Sequence, residues 1–306
     1  MNAAAKLAAY ALVLAAMIGG GAGIGAAVGP IDTSDGGGEH GAGHSGSTSE
    51  ATPATAELPA GGLLVSQDGY TFDPAARTLD AGRTNPFSFT ITGPDGEPLE
   101  DYERLHDREL HLIVVSGDLA EFHHVHPTRD EQGTWSIDLP ALQPGAHRAY
   151  ADFQPRDRDQ LTLGIDLTVP GQIGPPVALV ERRTVEVDGY EVTLDGHPEP
   201  ARESDVTITV RRDGEVITTE PYLGAAGHLV AIRDGDLAYL HVHPLDDEPN
   251  GSVRFAIEVP SAGTYGLYFD FALDGAVHTA AFTSVINAGP SAADDSADTP
   301  ATHDSH

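Results

Sequence analysis

Histidines recur at fixed places in this chain. His111, His124 and His126 fall within a seventeen-residue segment, HLIVVSGDLAEFHHVHP, and His228, His241 and His243 take the same places in HLVAIRDGDLAYLHVHP, 117 residues later and without a gap. The two segments hold seven of the fifteen histidines. Three imidazoles on rigid backbone suit copper or zinc. The chain has no cysteine, which removes disulfides, thiolate zinc sites, iron–sulfur clusters and a thiol nucleophile. Histidine and carboxylate remain as the strong metal ligands. Met1 and Met17, the only methionines, lie in the N-terminal region and cannot help a folded site.

The spacing says how such a site would form. Side chains alternate along a strand, so His124 and His126 share a face, as do His241 and His243. The runs His111–Val115 and His228–Ile232 are aliphatic and β-branched and read as a second strand. Gly117-Asp118 and Asp234–Asp236 lie between the two and mark a turn, so each segment reads as an antiparallel hairpin. Folding about that turn sets His111 opposite His126 and His228 opposite His243, with Cβ atoms about 4.5–5.5 Å apart.

The expectation is one site per domain: His111, His124 and His126 in the first, His228, His241 and His243 in the second. A tight turn at Leu273–Ala276 brings His278 near Phe271 and offers a fourth ligand to the second site; His106 is the substitute in the first. Asp152 and Asp270 are further ligands, or acceptors that hold an imidazole in one tautomer. His123, whose counterpart is Leu240, reads as structural, and His147 and His197 as surface residues. The competing reading keeps the histidines as structural residues of a duplicated fold.

The elements that would carry these side chains are strands. Alternating runs such as Phe87–Ile91, Thr134–Leu139, Val206–Val210 and Val253–Val259 lie between turn signals at Gly93–Gly96, Pro144-Gly145, Asp213-Gly214 and Asp274-Gly275. No long helical periodicity appears past the N-terminal segment; Leu99–Leu110 reads as one short helix or a loop. The repeat extends beyond the histidines: Gly69-Tyr70 recurs as Gly189-Tyr190, Gly133–Gly145 as Gly251–Gly263, and Tyr150–Phe153 as Tyr268–Phe271. The fold class is therefore all-β, with two tandem Ig-like antiparallel β-sandwiches at residues 61–173 and 174–288.

Leu7–Val28 is apolar, about the length of a membrane span, with Lys6 before it and Asp32, Asp35 and Glu39 after it. Residues 1–30 read as an uncleaved signal-anchor helix in preference to a cleaved signal peptide, and either places the remainder outside the cytoplasm. Residues 31–60 read as a flexible linker and 289–306 as an acidic, disordered tail. The formal charge is −31 and Lys6 is the only lysine, which argues against nucleic acid as a partner.

The His-Val-His-Pro segments, the Tyr-x-Asp-Phe strands and Val277-His278-Thr279 resemble a family of bacterial exported proteins described as heavy-metal-binding. The fold also resembles copper-resistance and YtkA-type periplasmic β-sandwiches. The resemblance implies metal handling. Copper carriers of that kind use methionine-rich loops, which this chain lacks, so Cu(II) or zinc is favoured over Cu(I). There is no His-Glu-x-x-His pattern, no nucleophile elbow and no paired acid and base, so an enzyme is not expected. The function expected is a membrane-anchored, extracytoplasmic binding protein for copper or zinc that buffers, sequesters or delivers the ion. The alternative is a tandem Ig-like interaction module with structural histidines; no protein partner is legible.

Overall fold

The computed structural model describes residues 61–175, 177–240, 242–245 and 251–287. The apolar run, the linker before Gly61 and the acidic tail lie outside these residues, as do His241 and the side chain of His243. All regular elements among the described residues are strands, and every strand pair is antiparallel. None of the described residues forms a helix long and apolar enough to cross a membrane.

In the first sandwich one sheet runs in the order β1 (Ser66–Gln67), β2 (Tyr70–Pro74), β3 (Asn85–Thr92), β7 (Thr134–Leu139), β6 (Thr128–Arg129). The sheet facing it runs β5 (Phe122–Val125), β4 (Leu110–Ser116), β8 (Gly145–Phe153), β9 (Leu161–Val169). The second sandwich repeats this. One sheet runs β10 (Thr184–Val187), β11 (Tyr190–Asp195), β12 (Glu203–Arg212), β17 (Val253–Glu258), β16 (Val242–Pro244), with β13 (Glu215–Val216) also on β12. Its partner runs β15 (Tyr239–Leu240), β14 (His228–Arg233), β18 (Gly263–Leu273), β19 (Ala276–Ile286).

Alternation builds each core. In β3, Phe87, Phe89 and Ile91 turn inward against Phe72, Trp135 and Phe153. In β11, Tyr190, Val192 and Leu194 do the same against Phe255, Phe269 and Phe271. Each fully buried aliphatic or aromatic side chain contributes about 1.5–3 kcal/mol relative to exposure.

β4 breaks the alternation because every one of its residues is buried. Leu110, Leu112 and Val114 face the first core. Ile113 and Val115 face the opposite way and join Tyr150, Val230, Ile232, Tyr239 and Tyr268 in a third apolar cluster, between the sandwiches. The continuous apolar runs in β4 and β14 thus serve two layers at once, as strands covered on both faces do. The seam is closed reciprocally: the Tyr150 hydroxyl donates to the Leu237 carbonyl at 2.7 Å and the Tyr268 hydroxyl to the Leu119 carbonyl at 2.7 Å. Phe122 stacks on Tyr268 with ring centres 4.0 Å apart.

Leu99–Leu110 forms no helix. It includes a tight turn closed between Leu105 and Arg108, with both central residues, His106 (φ 49) and Asp107 (φ 61), left-handed. The second sandwich repeats the turn between Tyr222 and Ala225, with Leu223 (φ 51) and Gly224 (φ 77) at its centre.

Candidate metal centre

The first hairpin has the register that its turn implies. Leu112 pairs with Val125 and Ile113 with His124, and one step further along places His126 beside His111. All three rings lie on the face of the sheet turned to the second sandwich. Ring centres are 5.2 Å apart for His111 and His124, 5.0 Å for His111 and His126, and 4.9 Å for His124 and His126. Each ring offers a nitrogen within 4.8 Å of those of the other two. A tetrahedral ion with metal–nitrogen bonds of about 2.0–2.1 Å holds its imidazole centres roughly 5 Å apart, so the triangle has the right size.

The hydrogen bonds around the triangle decide which nitrogens are free. His111 Nε2 lies 3.0 Å from the Leu105 carbonyl, which can only accept, so Nε2 carries the proton. His124 Nδ1 lies 2.8 Å from Asp270 Oδ2, a carboxylate, so Nδ1 carries the proton there. The remaining nitrogens, His111 Nδ1 and His124 Nε2, face each other at 2.9 Å, and His126 Nε2 lies 3.2 Å from the same His111 nitrogen. In neutral rings two lone pairs therefore meet at hydrogen-bond distance. That contact is repulsive unless a cation, a proton or a metal, lies between them.

Asp270 belongs to β18 of the second sandwich, and it holds a histidine of the first. Its other oxygen accepts from the Thr279 hydroxyl. The side chains of His124 and Asp270 are 5% and 4% exposed, so the pair is sealed in the seam. Asp152, the counterpart of Asp270, accepts from Gln160 and Thr162 and, at 3.4 Å, from the Tyr239 hydroxyl of the second sandwich.

His228 reproduces the posture of His111: its Nε2 donates to the Tyr222 carbonyl at 3.0 Å, from the equivalent turn. Its ring lies 6.4 Å from both His111 and His124 and 4.6 Å from His106. Burial, with repulsion from His106, His124 and His111, pulls the His228 pKa down to about 4. Burial first, then His124, His111 and Arg108, lowers that of His126 to about 3. His111 and His106 are lowered in the same way, burial being the main cause in each. These four rings are kept neutral, the form that ligates metal.

Three expectations are corrected. The first site is not confined to its own domain: five described rings from both sandwiches meet at the seam, while His241 and the His243 side chain, expected in the second site, lie outside the described residues. His278 is not near them. It pairs with Phe271 across β18–β19, as the turn implies, but Phe271 faces the core whereas Asp270 and Thr279 face the seam. His278 consequently packs beside Tyr190 and bonds Asp188 Oδ2 at 2.7 Å. His243 does not pair with β14. β15 leaves that sheet after Leu240, and β16 pairs His243 with Ala256 of β17 on the other sheet.

His147, read as a surface residue, is 3% exposed and donates to Glu121 at 3.0 Å. The contribution of Asp270 to the other sandwich, and those of the Leu105 and Tyr222 carbonyls, carried no local signal. The repeat that aligns Leu105 with Tyr222 and Asp152 with Asp270 was the one available clue.

Fold and site together define a class: two tandem antiparallel β-sandwiches with a histidine-lined seam. The chain belongs to the family described as domain of unknown function DUF8832, whose model matches residues 65–171 and again 185–288. No curated relative matches the sequence. Among solved structures, the chain is similar to the Lin-41 filamin domain (17% identity, 32% of this chain and 93% of that one, TM-score 0.25). It is similar to FdeC, an Escherichia coli adhesin (14%, 71% and 64%, TM-score 0.26), and to invasin, a bacterial integrin-binding protein (14%, 72% and 40%, TM-score 0.24).

Proposed function

We propose that this protein binds a divalent transition-metal ion, Cu(II) or Zn(II), through His111, His124 and His126, and that it buffers, sequesters or delivers the ion outside the cytoplasm. The observation that carries the reading is the pair of lone-pair nitrogens 2.9 Å apart, fixed by a carbonyl on one ring and a carboxylate on the other. Acceptors placed behind metal-bound imidazoles set the tautomer and orient the ring in this way. The apolar Leu7–Val28 run supports membrane anchoring, and the acidic charge raises the local concentration of cations.

A second reading is a tandem Ig-like interaction module with structural histidines. Two observations favour it: the paired sandwich architecture, and the fact that one proton between His111 and His124 would complete the network without an ion. Calorimetric titration of Cu(II) and Zn(II) into the wild type and a His124→Ala variant separates the two. Tight binding that is lost or strongly weakened in the variant supports the metal reading. Weak heats that are the same in both proteins would refute it and leave the interaction module.

A further inference from the structure

His124 is under two demands that conflict when no cation is present. Asp270 of the second sandwich holds its Nδ1–H at 2.8 Å. That hold sets its Nε2 lone pair against the Nδ1 lone pair of His111 at 2.9 Å. His111 cannot turn its lone pair away, because its Nε2–H is tied to the Leu105 carbonyl. The repulsion is relieved when His124 lets go of Asp270. An ion between the two nitrogens turns the same contact into two bonds, and the hold on Asp270 stays.

The carboxylate has a matching need. Asp270 is sealed in the seam, where it accepts from the His124 ring and the Thr279 hydroxyl. A buried charge without a cation near it is costly. An ion on His124 Nε2 places positive charge one imidazole away and makes Nδ1–H a stronger donor.

The strand that carries His124 is free to respond. β5 is the edge of its sheet and pairs with β4 alone. Its seam face meets β18 of the second sandwich twice, through Phe122 on Tyr268 and through His124 on Asp270. These are residues two apart on each strand, so one face of β5 docks on one face of β18.

We infer that the ion is a latch: bound by His111, His124 and His126 of the first sandwich, it tightens the hold of Asp270 on His124 and closes the seam, with Asp270 as the positioning residue that couples ion to seam. This deepens the proposed function and rests on its triad. Loss of an acceptor behind a metal-bound imidazole weakens affinity about 10- to 100-fold. Coupling is reciprocal, so the ion should shift the closed-to-open equilibrium of the seam by the same factor. Release of the ion is then favoured by opening of the seam.

The chain has no cysteine, so a single introduced thiol reports opening cleanly. Ile232→Cys places it in the apolar cluster of the seam, about 13 Å along β14 from His228 and away from the ion. Val192→Cys places it in the second core, where only unfolding exposes it. Maleimide labelling of the full-length protein is followed with chelator and with saturating Zn(II), and Zn(II) binding is measured by calorimetry. With chelator, Ile232→Cys should label faster than Val192→Cys, and Zn(II) should slow it about 10- to 100-fold. Combined with Asp270→Ala, saturating Zn(II) should leave the rate unchanged. Equal rates for the two thiols with chelator overturn the latch, because the seam then opens only on unfolding. Zn(II) that binds without slowing Ile232→Cys, or that slows it equally in Asp270→Ala, also overturns it and leaves the triad reading intact. No Zn(II) binding to the wild type removes both.

Discussion

Acid should destabilise the metal-free protein through His228, and the size of the effect can be worked out. In the unfolded chain the imidazole titrates near 6.5, whereas in the folded chain burial and the facing rings of His106, His124 and His111 bring it down to about 4. The folded pKa lies below the unfolded one. The stability this ring contributes is therefore complete above about pH 6.5 and is lost as pH falls towards about 4. At pH 5 the unfolded ring is almost fully protonated and the folded ring almost fully neutral. The difference is about 2 kcal/mol, and at pH 7 it is close to zero. His228→Gln removes the titration, and the amide can still donate to the Tyr222 carbonyl. Urea unfolding with a chelator present, at pH 7 and pH 5, gives the stability of both proteins at each pH. Wild type should lose about 2 kcal/mol more than the variant over that interval. Equal losses in the two proteins would show that His228 is not a buried neutral ring, and the reasoning about the seam would fail with it.

Asp270→Asn keeps the shape of the side chain and removes the charge that orients His124; zinc affinity measured by chelator competition should fall about 10- to 100-fold, with His111 and His126 untouched. His278→Ala should leave metal affinity unchanged, because its ring sits beside Tyr190 and away from the seam; a loss of binding would contradict that placement. Tyr150→Phe and Tyr268→Phe each leave a seam carbonyl without its hydroxyl donor, so each should cost about 1–3 kcal/mol in chemical unfolding, and the two costs should be similar. In Gly164→Ala the new methyl group meets the Gly62 carbonyl, which also accepts from Arg148. The segment from Gly61 to Leu64 should then detach, and proteolysis there should speed up.

The sequence by itself determined the strands, the hairpins and the duplication. Period-two alternation in β3 and β11, two-residue turns such as Asp274-Gly275 and the gapless repeat are local signals, written in neighbouring residues. They also placed His111, His124 and His126 together, because the register of a hairpin follows from its turn. The continuous apolar runs in β4 and β14 gave notice that something covers their second face, but not what covers it. Only the tertiary structure decided that the cover is the other sandwich. That packing hands Asp270 to His124 and brings His106 over His228, so that rings of both sandwiches share one seam. It also fixes the fate of His278, which lies one residue from Thr279 and so points to the core. A single step along a strand reverses the side chain, and the sequence does not say which face will be packed. Contacts between surfaces distant in the chain depend on how whole sheets dock, which no local pattern encodes.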